Sequence, residues 1–355
     1  MKGNEVIAEA AIRCGCDAYF GYPITPQTEI METLMVRAPW ETTGMVVLQA
    51  ESEVASINMV YGAAGCGKKV LTSSSSPGLS LMQEGLSYIA GAELPCVVVN
   101  IVRAGPGLGT IQPAQSDYFQ ATKGGGHGDY HLIVLAPASV QEMCDFVDLG
   151  FELAFKYRNP VMILSDGMIG QMMEKVVLPE YKPRWTEKEI LEISEDWATI
   201  GKTKDRKQNI VTSLNIESQQ QELVNIHLQA KYKKIKEQEV RYEEYLIDDA
   251  DYVIVAYGSS SRICQKSVQI LRTKGIKVGM IRPITLFPFP TKIIADIANK
   301  IKGFLVVELS AGQMIEDVRL AVEGCVPVQF FGRMGGMIPT PDEVVAAILK
   351  IRNQH

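Results

Sequence analysis

The alternation of strand-length apolar runs with stretches of helical periodicity constrains this chain more than any other feature. In the first half, apolar runs at 18–22, 44–49, 69–73, 96–103, 131–135 and 160–164 read as strands. Helical patterns fall at 4–14, 28–38, 51–62, 80–91 and 140–157. The run Cys96-Val-Val-Val-Asn-Ile-Val-Arg103 has almost no polar alternation, as a strand covered on both faces requires. Short βα units of this kind predict a parallel sheet with helices on both sides.

The pattern breaks near residue 175. Residues 176–205 carry prolines and scattered charge and read as a wrapping segment. Residues 215–247 read as a long polar helix with apolar positions at Leu223, Ile226, Tyr232 and Ile235. That helix is either a solvated connection or a subunit contact. A second strand–helix block starts at Asp251, with strands at 252–257, 277–281, 304–308 and 328–331. The expected architecture is α/β, with two doubly wound parallel-sheet domains at 1–175 and 251–355 and a linker at 176–250. A chain of 355 residues suits about two domains.

Composition removes several classes of function. The chain is 46% hydrophobic and 21% charged, the ordinary globular mix, so a disordered or fibrous chain is excluded. Its formal net charge of −6 lacks the basic footprint of a phosphate-backbone binder. No apolar run approaches the roughly 20 residues of a membrane helix, and the N-terminus has no signal-peptide pattern. A cytoplasmic protein is expected. The seven cysteines include no Cys-x-x-Cys pair, which argues against a disulfide scaffold, a zinc ribbon or an iron–sulfur cluster held by this chain alone. They are expected to be buried free thiols.

Some familiar motifs fail on inspection. Gly62-Ala-Ala-Gly-Cys-Gly-Lys68 nearly fits a P-loop, but Lys69 stands where Ser or Thr should hold Mg²⁺, and the stretch closes a helix instead of opening one. Gly105-Pro-Gly-Leu-Gly109 is not the dinucleotide fingerprint; such a loop lets backbone approach a ligand closely. Ser73-Ser-Ser-Ser-Pro-Gly78 lacks the Gly-x-Ser-x-Gly elbow and reads as a polar strand-to-helix loop. His127, His131, His227 and His355 have no metal-ligand spacing.

Three positions at strand ends carry more chemistry. In Tyr22-Pro-Ile-Thr-Pro26, Thr25 fits a helix N-cap and Pro26 the first helical position. Thr25 either only caps the helix or offers a hydroxyl at a helix terminus suited to a carboxylate. Glu51 follows a strand and opens a helix, where it either complements the helix dipole or faces a ligand at the sheet's carboxyl edge. Arg103 ends the longest strand; it is either a surface ion pair or a fork for a planar carboxylate.

Taken together, these stretches resemble the alpha subunit of 2-oxoacid:ferredoxin oxidoreductases, in particular its branched-chain (3-methyl-2-oxobutanoate) members. The resemblance rests on Tyr22-Pro-Ile-Thr-Pro26, Gln49-Ala-Glu-Ser-Glu53, Thr72-Ser-Ser-Ser-Ser-Pro-Gly78, Gly91-Ala-Glu-Leu-Pro95 and Arg103-Ala-Gly-Pro-Gly107. Gln115-Ser-Asp117, Gly124-Gly-Gly-His-Gly-Asp129, Ile281-Arg-Pro-Ile-Thr-Leu-Phe-Pro288 and Gly312-Gln-Met314 extend it. It covers nearly the whole chain and is weakest at about 180–245.

The resemblance implies a thiamine diphosphate enzyme split over subunits. This chain would supply a pyrimidine-binding domain and a transketolase C-terminal-like domain. A beta subunit would hold the diphosphate and Mg²⁺, a gamma subunit would complete the assembly, and a ferredoxin-like delta subunit would carry 4Fe–4S clusters. Electrons would pass to external ferredoxin and the acyl group to CoA. Glu51 would hydrogen-bond N1′ of the aminopyrimidine, and Thr25 and Arg103 would hold the 2-oxoacid carboxylate. The sequence has no Gly-Asp-Gly…Asn-Asn diphosphate motif; its nearest fragment is Ser165-Asp-Gly167. A 2-oxoglutarate-specific alpha subunit and a non-catalytic scaffold are the alternatives.

Overall fold

The computed structural model describes residues 1–202 and 206–353, so His355 lies outside the described residues. The first unit runs α1 (Gly3–Arg13), β1 (Ala18–Gly21), α2 (Thr28–Arg37), α3 (Pro39–Thr42), β2 (Val46–Gln49), α4 (Glu53–Gly65), β3 (Val70–Ser74), α5 (Ser76–Gly91), β4 (Val97–Val102), α6 (Tyr118–Thr122), β5 (Ile133–Leu135), α7 (Val140–Tyr157), β6 (Val161–Asp166) and α8 (Gly167–Gln171). Next come α9 (Glu187–Ser194) and α10 (Ser218–Gln238). The second unit holds β7 (Tyr242–Tyr245), β8 (Tyr252–Val255), α11 (Gly258–Thr273), β9 (Val278–Pro283), β10 (Thr285–Phe287), α12 (Thr291–Ala298), β11 (Gly303–Glu308), α13 (Met314–Val322), β12 (Val328–Gly332) and α14 (Pro341–Arg352).

Two doubly wound sheets result, as the alternation predicts. The seven-stranded sheet has the order β10-β5-β6-β4-β3-β1-β2, and the five-stranded sheet β12-β11-β8-β9-β7. Every residue of β3, β4 and β6 is buried, which accounts for their continuous apolar character. β1 lies between β2 and β3, so the chain first winds one way and then the other, and the switch point lies beside β1. In such sheets the crevice at the carboxyl ends of the strands around the switch point takes the ligand.

Two short strands escape the sequence reading: one leaves the second block for the first sheet, and the other joins the second sheet from the stretch expected to be linker. β10, from the second block, pairs antiparallel with β5 of the first sheet. β7, from the linker, pairs antiparallel with β9 of the second sheet. The long helix is also more than a solvated connection. Tyr232 and Ile235 of α10 are buried, Tyr232 meeting His131 edge-on, whereas Leu223 and Ile226 stay exposed. The wrapping segment lies against the first unit, with the Lys182 amide donating to the Arg13 carbonyl and Trp185 set against Phe155. Five of the seven free cysteines are buried; Cys66 is half-buried and Cys325 exposed, so the expectation of buried thiols fails for those two. No helix of the described residues is long and apolar enough to cross a membrane.

Candidate active site

The carboxyl ends of β1, β2, β3 and β4 bring Thr25, Glu51, the serine run and Arg103 to one edge of the large sheet. The loop after β1 is tied down from two sides. Asn4 of α1 donates to the Pro26 carbonyl at 2.6 Å. Gln27 donates to the Tyr22 carbonyl at 3.1 Å and accepts from Ser73 Oγ at 2.6 Å. These bonds hold residues 22–27 out of the helix, so α2 begins at Thr28 with Gln27 as its N-cap. The expectation of Thr25 as cap and Pro26 as first helical residue is thereby corrected. Thr25 keeps an exposed side chain, and its carbonyl accepts from Arg103 Nη1 at 3.0 Å.

Arg103 is 9% exposed. Its Nε–H is buried with no partner among the described residues, while Nη1 is spent on Thr25. The backbone beneath it is fixed, its N–H donating to Ser76 Oγ at 3.1 Å. Buried donors are normally satisfied, and an unmet guanidinium N–H is costly. A carboxylate supplies two coplanar oxygens for such a donor edge. The hydroxyls of Thr72, Ser74 and Ser75 are also buried and, among the described residues, unpartnered. Arg103 and this strip of hydroxyls therefore form a polar surface that the chain itself leaves incomplete.

The carboxylates at the end of β2 divide into two kinds. Glu51 precedes the N-cap Ser52, whose Oγ accepts from the Ala55 amide at 3.2 Å; it is exposed and lies outside the helix rather than in its first turn. Glu53 takes the first turn of α4 and is buried. A Cβ placed on Gly78 would stand 2.0 Å from Ser74 Oγ and 2.5 Å from Glu53 Oε1. Glu53 thus lies against the glycine of the Ser-Pro-Gly turn at the crevice. The sequence carried the signal, two glutamates two residues apart, without showing which is buried.

Groups for a diphosphate-bound metal do not gather here. Asp166 of the Ser165-Asp-Gly167 fragment accepts from the amides of Met168 and Ile169 and, at 2.5 Å, from Ser259 Oγ. Among the described residues no group of three or more His, Cys, Asp or Glu is arranged to hold a metal. The residues present fit the pyrimidine side of a thiamine diphosphate site, a buried carboxylate beside unpartnered hydroxyls, and do not fit the diphosphate side. Lys69 of the P-loop look-alike donates to the Cys14 carbonyl and lies over Trp185. A separate cavity of about 780 Å³, lined by Lys123, His131, Lys236, Phe287 and Lys292 among others, involves none of Thr25, Glu51, Glu53 and Arg103.

The later motifs clasp the two units together. Gln115 donates to the Tyr257 carbonyl at 2.8 Å and accepts from the Leu309 amide at 3.0 Å. Gln313 donates to the Ser116 carbonyl at 2.7 Å and accepts from the Phe119 amide at 2.8 Å. Glu308, fully buried, accepts from the amides of Gln313, Met314 and Ile315 at the start of α13; burial pushes its carboxyl above the usual range.

Comparison with known proteins gives the family. Residues 9–245 match the family model described as pyruvate flavodoxin/ferredoxin oxidoreductase, thiamine diphosphate-binding, and residues 250–344 match pyruvate:ferredoxin oxidoreductase core domain II. The ketoisovalerate oxidoreductase subunit VorB of Methanothermobacter thermautotrophicus is 50% identical over 99% of this chain and 97% of its own. The 2-oxoglutarate synthase subunit KorA of Methanocaldococcus jannaschii is 35% identical, over 98% of each chain. Among solved structures, 2-oxoglutarate:ferredoxin oxidoreductase from Magnetococcus marinus, with 2-oxoglutarate, coenzyme A and succinyl-CoA bound, superposes with a TM-score of 0.83 at 29% identity. That match covers 99% of this chain but only 64% of the solved one. A split-gene transketolase, 14% identical with a TM-score of 0.64, shares the fold alone. With both family models matched in order and full-length relatives at this identity, the chain belongs to the pyruvate flavodoxin/ferredoxin oxidoreductase family, as a subunit of the 2-oxoacid:ferredoxin oxidoreductase kind.

Proposed function

We propose that this chain supplies the aminopyrimidine side of a thiamine diphosphate site and the carboxylate-binding arginine of a branched-chain 2-oxoacid:ferredoxin oxidoreductase. The assembled enzyme converts 3-methyl-2-oxobutanoate and CoA to acyl-CoA and CO₂ and passes electrons to ferredoxin. The observation that carries this reading is Arg103, with Nη1 anchored on the Thr25 carbonyl and Nε buried and unmet. The higher identity to the ketoisovalerate subunit than to the 2-oxoglutarate subunit supports the branched acid.

Bound thiamine diphosphate supplies the carbanion chemistry, and the protein supplies orientation and electrostatics. Arg103 holds the substrate carboxylate, and the Thr25 carbonyl fixes the plane of the guanidinium. A carboxylate at the end of β2 holds a proton at N1′ of the aminopyrimidine. The family resemblance gives this role to Glu51; burial and the approach to Ser74 and Gly78 favour Glu53. Mg²⁺, the diphosphate and the 4Fe–4S clusters belong to partner subunits of beta, gamma and delta type, and CoA enters as co-substrate.

The test is turnover by the reconstituted complex on a panel of 2-oxoacids with viologen as acceptor. A higher kcat/KM for 3-methyl-2-oxobutanoate than for 2-oxoglutarate supports the reading. The reverse order would make this a 2-oxoglutarate subunit, and no turnover on any 2-oxoacid would leave it a scaffold.

A further inference from the structure

A buried chain of hydrogen bonds runs from the large sheet into the loop that anchors the Arg103 guanidinium. Tyr19 of β1, Ser73 of β3 and Gln27 are all fully buried. Gln27 Oε1 accepts the Ser73 hydroxyl at 2.6 Å, and Gln27 Nε2 donates to the Tyr22 carbonyl at 3.1 Å. A carbonyl can only accept, so the side-chain amide has one orientation, nitrogen toward Tyr22 and oxygen toward Ser73. Ser73 gives its one proton to Gln27, so the Tyr19 hydroxyl, 2.7 Å away, donates to Ser73. Burial pushes that phenol up to about 12, which keeps it protonated and a donor. Gly21 leaves room for it, since a Cβ there would stand 2.4 Å from the Tyr19 oxygen. At the other end, the Gln27 backbone N–H donates to the Ile24 carbonyl at 3.0 Å and closes a turn with Thr25 and Pro26 as its central residues. The Thr25 carbonyl within that turn accepts from Arg103 Nη1 at 3.0 Å. Gln27 thus holds the loop at its entry, through Tyr22, and at its exit.

We propose that Gln27 is a positioning residue for Arg103, acting through the turn of residues 24–27 and the Thr25 carbonyl, with Ser73 and Tyr19 fixing the orientation of its amide. The proposal rests on Arg103 holding the substrate carboxylate. Gln27 touches neither substrate nor cofactor in this scheme. Loss of its side-chain bonds frees the turn and moves the acceptor on which Nη1 rests. The effect falls on binding of the 2-oxoacid and leaves the CoA half-reaction alone.

The experiment uses the complex assembled with its partner subunits, with KM for 3-methyl-2-oxobutanoate, KM for CoA and kcat measured separately. Gln27→Met keeps the length of the side chain and removes both of its bonds. A roughly tenfold rise in the 2-oxoacid KM is expected, the scale of a buried hydrogen bond lost. KM for CoA and kcat stay near wild type. Ser73→Ala removes only the bond to Oε1 and raises the same KM by a smaller factor; it decides the matter if Gln27→Met does not assemble. An unchanged 2-oxoacid KM in both variants overturns the proposal, as does an equal loss across kcat and both KM values. Arg103→Ala is run alone and combined with Gln27→Met. In the combined variant Gln27→Met raises the 2-oxoacid KM no further, because the group it positions is gone. The same factor in both backgrounds would make Gln27 merely structural and overturn the positioning role alone. If Arg103→Ala by itself leaves that KM unchanged, the Arg103 assignment fails.

Discussion

At the scale of single residues, the site turns on groups that the chain leaves unsatisfied. Glu53→Gln is expected to abolish most turnover of the assembled complex while leaving thiamine diphosphate bound, because an amide cannot serve as the proton partner of the pyrimidine. Glu51→Gln, altering an exposed carboxylate outside the helix, retains activity within a few-fold. Steady-state assays of the two variants side by side decide the assignment, and the opposite pattern returns the role to Glu51. Arg103→Ala removes a charge-assisted contact, a loss of about 1.5–3 kcal/mol or one to two decades in apparent 2-oxoacid affinity. The sequence singled out Thr25, Glu51 and Arg103, but not the burial that separates Glu51 from Glu53. Thr25-Pro26 has the local grammar of a helix start, and that grammar is overridden by bonds from Asn4 and Gln27 to groups distant in sequence. Glu51 lies exposed ahead of the helix and Glu53 buried in its first turn, against Gly78 of α5, a difference that two glutamates two residues apart do not disclose.

At the scale of elements, α4 and α5 form the wall of the crevice, and their approach depends on Gly85. A Cβ there would stand 2.5 Å from Cγ2 of Ile57, a β-branched side chain with little freedom to move away. Gly85→Ala gains about 1 kcal/mol in helix propensity, yet overpacking costs about 1–3 kcal/mol. A net destabilisation of up to about 2 kcal/mol follows, visible as a lower urea midpoint; a raised midpoint would show that the helices separate freely. The long buried strands were legible because apolar β-branched runs have few other uses. β7 and β10 were not. Tyr242-Glu-Glu-Tyr245 has exposed glutamates, and Thr285–Phe287 spans three residues; each becomes a strand only through a partner edge supplied by the other part of the chain.

At the scale of the whole molecule, the proposed function gives the chain half of a cofactor site. Calorimetry on the isolated chain is expected to show weak thiamine diphosphate binding that Mg²⁺ does not strengthen, since Asp166 is already engaged by two amides and Ser259. Tight Mg²⁺-dependent binding by the chain alone would place the diphosphate site here after all. The crossed strands carry a different consequence. Cutting the gene near codon 250 would leave the first fragment without β10 and the second without β7, each with a raw sheet edge. Recombination can therefore exchange or fuse this polypeptide with its neighbours at its ends, but a breakpoint at the seam between its halves yields two unfinished pieces. Whatever subunits the chain assembles with, these two halves are expected to be inherited as one.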